Sequence, residues 1–144
     1  MKRVYIIGSL RNTVVAQAGN RLREHGLEAI DDWYAAGPRA DDHWKEYENG
    51  RGRGYEEALY GKAAVNTFEF DYENLIRSDA ALLVLPAGKS GHLEAGFFSR
   101  KGPLFILLEQ GQDERYDVMY RFAIKSGGLV TADLGKIINR MKEL

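Results

Sequence analysis

Three stretches of this chain are apolar without interruption: Val4–Ile7, Ala80–Leu85 and Leu104–Leu108. A strand with one face in water alternates apolar and polar residues, because successive side chains point to opposite sides. A strand that is apolar at every position buries both faces. That happens mainly in parallel sheets covered by helices on each side. Helical patterns lie between these runs. From Thr13 to His25, Val14, Val15, Ala18 and Leu22 share one face, and Gly26 supplies a stop. Leu27–Asp31 reads as a short strand, Phe68–Ser78 as a second helix, and His92–Arg100 as a third with Leu93 and Phe97 one turn apart. Thr131 is placed to cap a last helix carrying Leu134, Ile137, Ile138 and Met141. Alternating strands and helices predict a doubly wound α/β domain with right-handed crossovers.

The 144 residues fit one domain, 1–144, with room for a substantial core. A formal charge of −1 gives no electrostatic reason to bind nucleic acid or an acidic membrane. The chain has no cysteine, which excludes disulfides and thiol chemistry and suits a reducing cytoplasm. Its opening apolar run, four residues before Gly8, is too short for a signal peptide or a membrane span. Three scattered histidines without HxxxH spacing predict no metal site, and no organic cofactor is expected.

The segment 31–64 breaks the strand–helix rhythm and is expected to be a long irregular insertion. It holds both tryptophans, Trp33 and Trp44, which a disordered linker rarely carries. They are expected to wall or cover a pocket and to contact a base. Arg51 and Arg53, in GRGRG, read as solvated loop residues, with contact to a phosphate as the alternative.

In an open parallel sheet, ligands bind beyond the C-terminal strand ends at the topological switch point. Two loops fall there: GSLRN after the first strand and PAGKSGHLEAG after the third. Gly8 permits close approach, and Ser9, Leu10, Arg11 and Asn12 form a candidate anion cradle. In the second loop Ser90, Gly91 and His92 are candidates for the same phosphate. With Ser90 as helix cap, a capping-box acid belongs at position 93, which is Leu93. Glu94 falls one residue later, in the expected first turn, where the helix dipole favours an ionised carboxylate. It is either a nucleophile or a dipole partner. Asp71 either points to the same sheet end or caps its own helix.

These residues resemble motifs of the nucleoside 2-deoxyribosyltransferase superfamily, and within it the 2'-deoxynucleoside 5'-phosphate N-hydrolases. Tyr5, Gly8, Ser9, Leu10 and Arg11 match the opening strand and turn; Asp71 precedes Asp79 by the family's interval; Glu94-Ala95-Gly96 matches the turn bearing the catalytic glutamate. The resemblance spans Tyr5 to Gly96. It implies a flavodoxin-like Rossmann fold, with a parallel sheet of about five strands and helices on both faces. It further implies cleavage of an N-glycosidic bond: Glu94 attacking the anomeric carbon, Asp71 positioning the sugar or assisting the departing base, and Tyr5 orienting Glu94. Ser9, Arg11 and Ser90 would hold a 5'-phosphate, and the chain would form a homo-oligomer. This chain has Gly88 where the hydrolases carry their phosphate serine, and it lacks the aspartate of the transferase turn. Hydrolase, transferase and non-catalytic nucleotide sensor therefore stay open at this stage.

Overall fold

The computed structural model describes residues 2–110 and 115–144. Its five strands are β1 (Arg3–Ile7), β2 (Glu28–Ile30), β3 (Ala80–Val84), β4 (Leu104–Leu107) and β5 (Val130–Thr131). They form one all-parallel sheet in the order β2-β1-β3-β4-β5. β1 pairs with β2 on one side and with β3 on the other, with Tyr5 opposite Ala81 and Ile7 opposite Leu83. The chain reverses its winding between β1 and β3, so the switch point lies at their C-terminal ends.

Alternate residues of the uninterrupted apolar strands feed two separate cores. Val4, Ile6, Leu82, Val84 and Phe105 pack under α1 (Val14–Glu24) and α7 (Leu134–Lys142). Tyr5, Ile7, Ala81, Leu83 and Ile106 pack on the other face with Leu75, Phe98 and Ala123. Those three belong to α4 (Lys62–Ile76), α5 (Lys89–Lys101) and α6 (Arg121–Lys125). Burial on both faces is what the apolar runs require.

Several local expectations are corrected. The segment 31–64 is mostly helical: a 3-10 turn at Asp32–Ala36, α2 (Ala40–Gly50), α3 (Tyr55–Ala58) and the start of α4. α2 escapes periodicity because its only buried residue is Glu48. Asp41 and Asp42 in its first turn favour the helix electrostatically, and Gly52, at φ +77°, helps turn the chain out of it. α4 begins six residues before Phe68, so Asp71 is interior to the helix and caps nothing. α5 begins at Lys89 with Gly88 as its cap residue, which puts Ser90 inside the helix and Glu94 in its second turn. The core side of α5 is Gly91, Ala95 and Phe98; Leu93 and Phe97 face outward, at 76% and 47% exposure. The cap of α7 is Asp133, which accepts from the Lys136 amide at 3.3 Å. Thr131 ends β5 and accepts from the Asp133 amide.

Candidate active site

A cavity of about 1310 Å³ opens over the C-terminal ends of β1 and β3. Tyr5 reaches it from β1, Asp71 from α4, and Glu94 from α5. Each is fixed by a neighbour on its own element. Tyr5 is 2% exposed within the sheet core. Asp71 lies one turn before the buried Leu75, and Glu94 sits between the buried Gly91 and Phe98. A Cβ at Gly91 would come within 3.3 Å of Ile7 Cγ2 and Ala87 Cβ, so this glycine sets how closely α5 approaches the sheet.

The three side chains are coupled electrically. The Tyr5 hydroxyl donates a hydrogen bond to Glu94. Burial pushes Glu94 from 4.5 to about 7, the Asp71 charge adds to that rise, and the Tyr5 bond opposes it. Burial alone raises Asp71 from 3.8 to about 6. Tyr5 is pushed well above its ordinary value, by burial first and then by both carboxylates, so it remains a donor at neutral pH. The carboxylates titrate close together, so near neutrality the pair shares a proton rather than holding two full charges. Such a pair can both attack and transfer a proton.

The loop residues divide in two. Gly8, Ser9, Leu10, Arg11 and Ser90 line the cavity, while Asn12, Gly91 and His92 lie outside its lining. Asn12 is 7% exposed and its side chain is fully engaged. It donates to the Val84 and Pro86 carbonyls and accepts from the Val14 amide, tying the two switch-point loops together. His92 places its ring nitrogens against the Gly88 carbonyl (2.8 Å) and the Tyr120 hydroxyl (3.0 Å), and stacks on Tyr120. The absent side chain of Gly8 serves packing first, because a Cβ there would lie 2.8 Å from Val15 Cγ2. Arg11 pairs with Asp42 of α2 at 3.5 Å, an exposed pair.

The two tryptophans differ. Trp33 donates from Nε1 to the Ile6 carbonyl at 2.8 Å and packs against both cores, so it is a fixed wall at the end of β1. Trp44 belongs to the α2 arm and meets Tyr55 edge-on at 6.1 Å. The lining also includes Arg53 and residues that the sequence reading passed over: Glu48, Asn66, Thr67, Phe70 and Lys89. Arg53 is no solvated loop cation, since it pairs with Glu48 at 2.7 Å. The spacing of Asn66, Thr67, Phe70 and Asp71, one helical stripe, could have revealed the α4 face. Among the described residues no group of three or more His, Cys, Asp or Glu side chains is arranged to hold a metal, and no helix is long and apolar enough to cross a membrane.

Fold and site together define a Rossmann-like α/β protein with a two-carboxylate cleft at its switch point. Among solved structures the chain is similar to the Clostridium botulinum CMP N-glycosidase BcmB, with a TM-score of 0.57 and 14% sequence identity. The match covers 98% of this chain and 99% of that one, so the two share a fold from end to end. The resemblance read from the motifs therefore stands at the level of fold. No protein-family model matches the chain, and no curated protein sequence matches it significantly.

Proposed function

We propose that the protein hydrolyses the N-glycosidic bond of a nucleoside 5'-monophosphate, releasing free base and sugar phosphate, with Glu94 as nucleophile. The observation that carries this reading is the Tyr5–Asp71–Glu94 cluster, two carboxylates drawn toward neutrality in one cleft. It is supported by the likeness to a protein described as a CMP N-glycosidase.

The chemistry follows from the shared proton. The shared proton rests mainly on Glu94, whose pKa is the higher, and passes to Asp71 in the reacting form; the Glu94 carboxylate then attacks the anomeric carbon, the C–N bond breaks with its electron pair moving to the base, and protonated Asp71 supplies the base with a proton. Water then attacks the anomeric carbon of the glycosyl ester. Asp71 takes the water's proton and Glu94 departs as a carboxylate. Both steps pass through an oxocarbenium-like state, whose developing positive charge the buried carboxylates stabilise. Tyr5 holds the attacking carboxylate in place. The 5'-phosphate would meet Arg11, Ser9 and the first turn of α5, which has no side-chain cap, with Lys89 and Ser90 at its start.

Chromatography of nucleotides incubated with the protein tests the reading. Base release in water alone supports a hydrolase. Release only with an added acceptor base marks a deoxyribosyltransferase instead, and tight binding without release marks a nucleotide sensor. The reading also includes self-association. An aromatic ladder of Phe68, Tyr72 and Phe97 runs across α4 and α5, with Phe68 and Phe97 exposed, as the surface a second copy would cover. Sedimentation of wild type against Phe97→Asp checks it: a monomer in both cases removes this part of the proposal.

A further inference from the structure

Asn66, Thr67 and Phe70 line the cavity from α4, and the function proposed for the site gives them no part. α4 leads into β3, so it runs against the strands, and its first half stands beyond the sheet end where the cavity opens. Thr67, Asp71 and Leu75 form one row along the helix, each a turn from the next. Leu75 is buried against the sheet, Asp71 sits at the cleft, and Thr67 continues the row about 6 Å further from the sheet. Asn66 and Phe70 form the neighbouring row, and both line the cavity. Their side chains are not spent on the fold. Phe68, on the opposite side of the helix, stacks on Tyr72 at 5.5 Å. Phe70 is 55% exposed and has no ring partner among the described residues. Asn66 and Thr67 are exposed too, and neither side chain hydrogen-bonds to a described residue. An open aromatic face beside an uncommitted carboxamide, on one wall of a cavity, suits a flat ring with a polar edge.

We propose that this stretch of α4 is the base-recognition wall: Phe70 lies against the ring of the base, and Asn66 hydrogen-bonds the exocyclic group and adjoining ring nitrogen on its far edge. This rests on the nucleotide-cleaving function proposed for the site. That reaction ties the base to Asp71, which protonates it, and the sugar to Glu94. On the sheet side of Asp71 the space is filled by Tyr5 and Leu75, which are 2% and 4% exposed. The base therefore extends the other way, along the helix toward Thr67. Asn66 stands about 7.5 Å from Asp71 along the axis, so its carboxamide meets the end of the base away from the sugar. A carboxamide offers a donor and an acceptor side by side. Each common base carries the matching pair there, an amino group or carbonyl beside a ring nitrogen. A base stripped of that exocyclic group leaves half of the carboxamide unpaired, which the site penalises more sharply than an apolar slot would.

The test is calorimetric binding to the full chain carrying Glu94→Gln, which holds nucleotides without turnover. The ligands are the four common nucleoside 5'-monophosphates, the analogue of each lacking that exocyclic group, and base-free ribose 5-phosphate. For the tightest-binding nucleotide, removing the exocyclic group should weaken binding about five- to tenfold. Adding Asn66→Ala should weaken the parent nucleotide by the same factor and leave its analogue within about twofold. Adding Phe70→Ala should weaken parent and analogue alike, by about tenfold or more, because stacking is indifferent to the edge. Ribose 5-phosphate should stay within about twofold throughout. Both positions are exposed on a helix, where alanine is favoured, so the variants fold. Equal weakening of parent and analogue by Asn66→Ala, an unchanged affinity in either variant, or a parallel loss of ribose 5-phosphate binding overturns the assignment. Failure of the hydrolase reading looks different: wild type releases no base while the exocyclic group and Asn66 still act on the same affinity.

Discussion

Replacing Glu94 with Gln removes an ionisable group from a site that resists its charge, so activity and stability should move in opposite directions. The folded pKa of Glu94 is about 7 against an ordinary 4.5. A raised folded pKa means that the folded chain holds a proton which the unfolded chain has released. The Glu94 contribution to stability is therefore full below pH 4.5, falls as pH rises through the window to about 7, and is level above it. The whole shift corresponds to about 3 kcal/mol. Part of it belongs to the coupling with Asp71, and the cavity admits water, so about 1–2 kcal/mol is the share released by the substitution. Gln keeps the shape and still accepts from Tyr5. In a chain of this size that share raises the melting temperature by about 3–6 °C at pH 8, fading to nothing near pH 4.5. Base release should fall by several orders of magnitude at every pH. Calorimetric melting of both proteins across pH 4.5–8, with chromatography of released base, measures both effects. Parallel melting profiles would refute the buried-charge argument, and activity within about tenfold of wild type would refute the nucleophile.

Because the Asp71 charge helps to raise Glu94, Asp71→Asn should lower the Glu94 titration midpoint, which carboxyl NMR detects; an unchanged midpoint breaks the coupling. Arg11→Ala should weaken nucleoside monophosphates about ten- to a hundredfold and nucleosides little, and equal weakening would remove Arg11 from phosphate recognition. Its partner Asp42 competes for the same guanidinium, so Asp42→Asn should tighten phosphate binding by up to about threefold, an effect that fades in high salt. Trp33→Ala should cost about 2–3 kcal/mol in denaturant unfolding, because Trp33 packs on both cores and bonds the Ile6 carbonyl, whereas Trp44→Ala should change stability little; comparable losses would contradict the division into wall and arm.

The sequence by itself determined the layered α/β fold and the location of the cleft. Uninterrupted apolar strands such as Ala80–Val84 have only one way to bury both faces, and parallel strands place the loops after β1 and β3 at one end. Asp71 and Glu94 were legible through their places in those segments and Tyr5 only through the family resemblance, and the structure brings all three into one cavity. What the side chains do there was decided by tertiary structure. Asn12 looks like a cradle residue in sequence, yet its amide is spent on carbonyls 72 and 74 residues away. Glu94 looks like a first-turn residue favoured in its ionised form, yet α5 starts earlier, and burial pushes it toward protonation instead. The α2 arm was invisible because periodicity detects apolar faces, and the one buried residue of α2 is a glutamate. Burial and charge coupling depend on neighbours distant along the chain, so only the folded arrangement could set them.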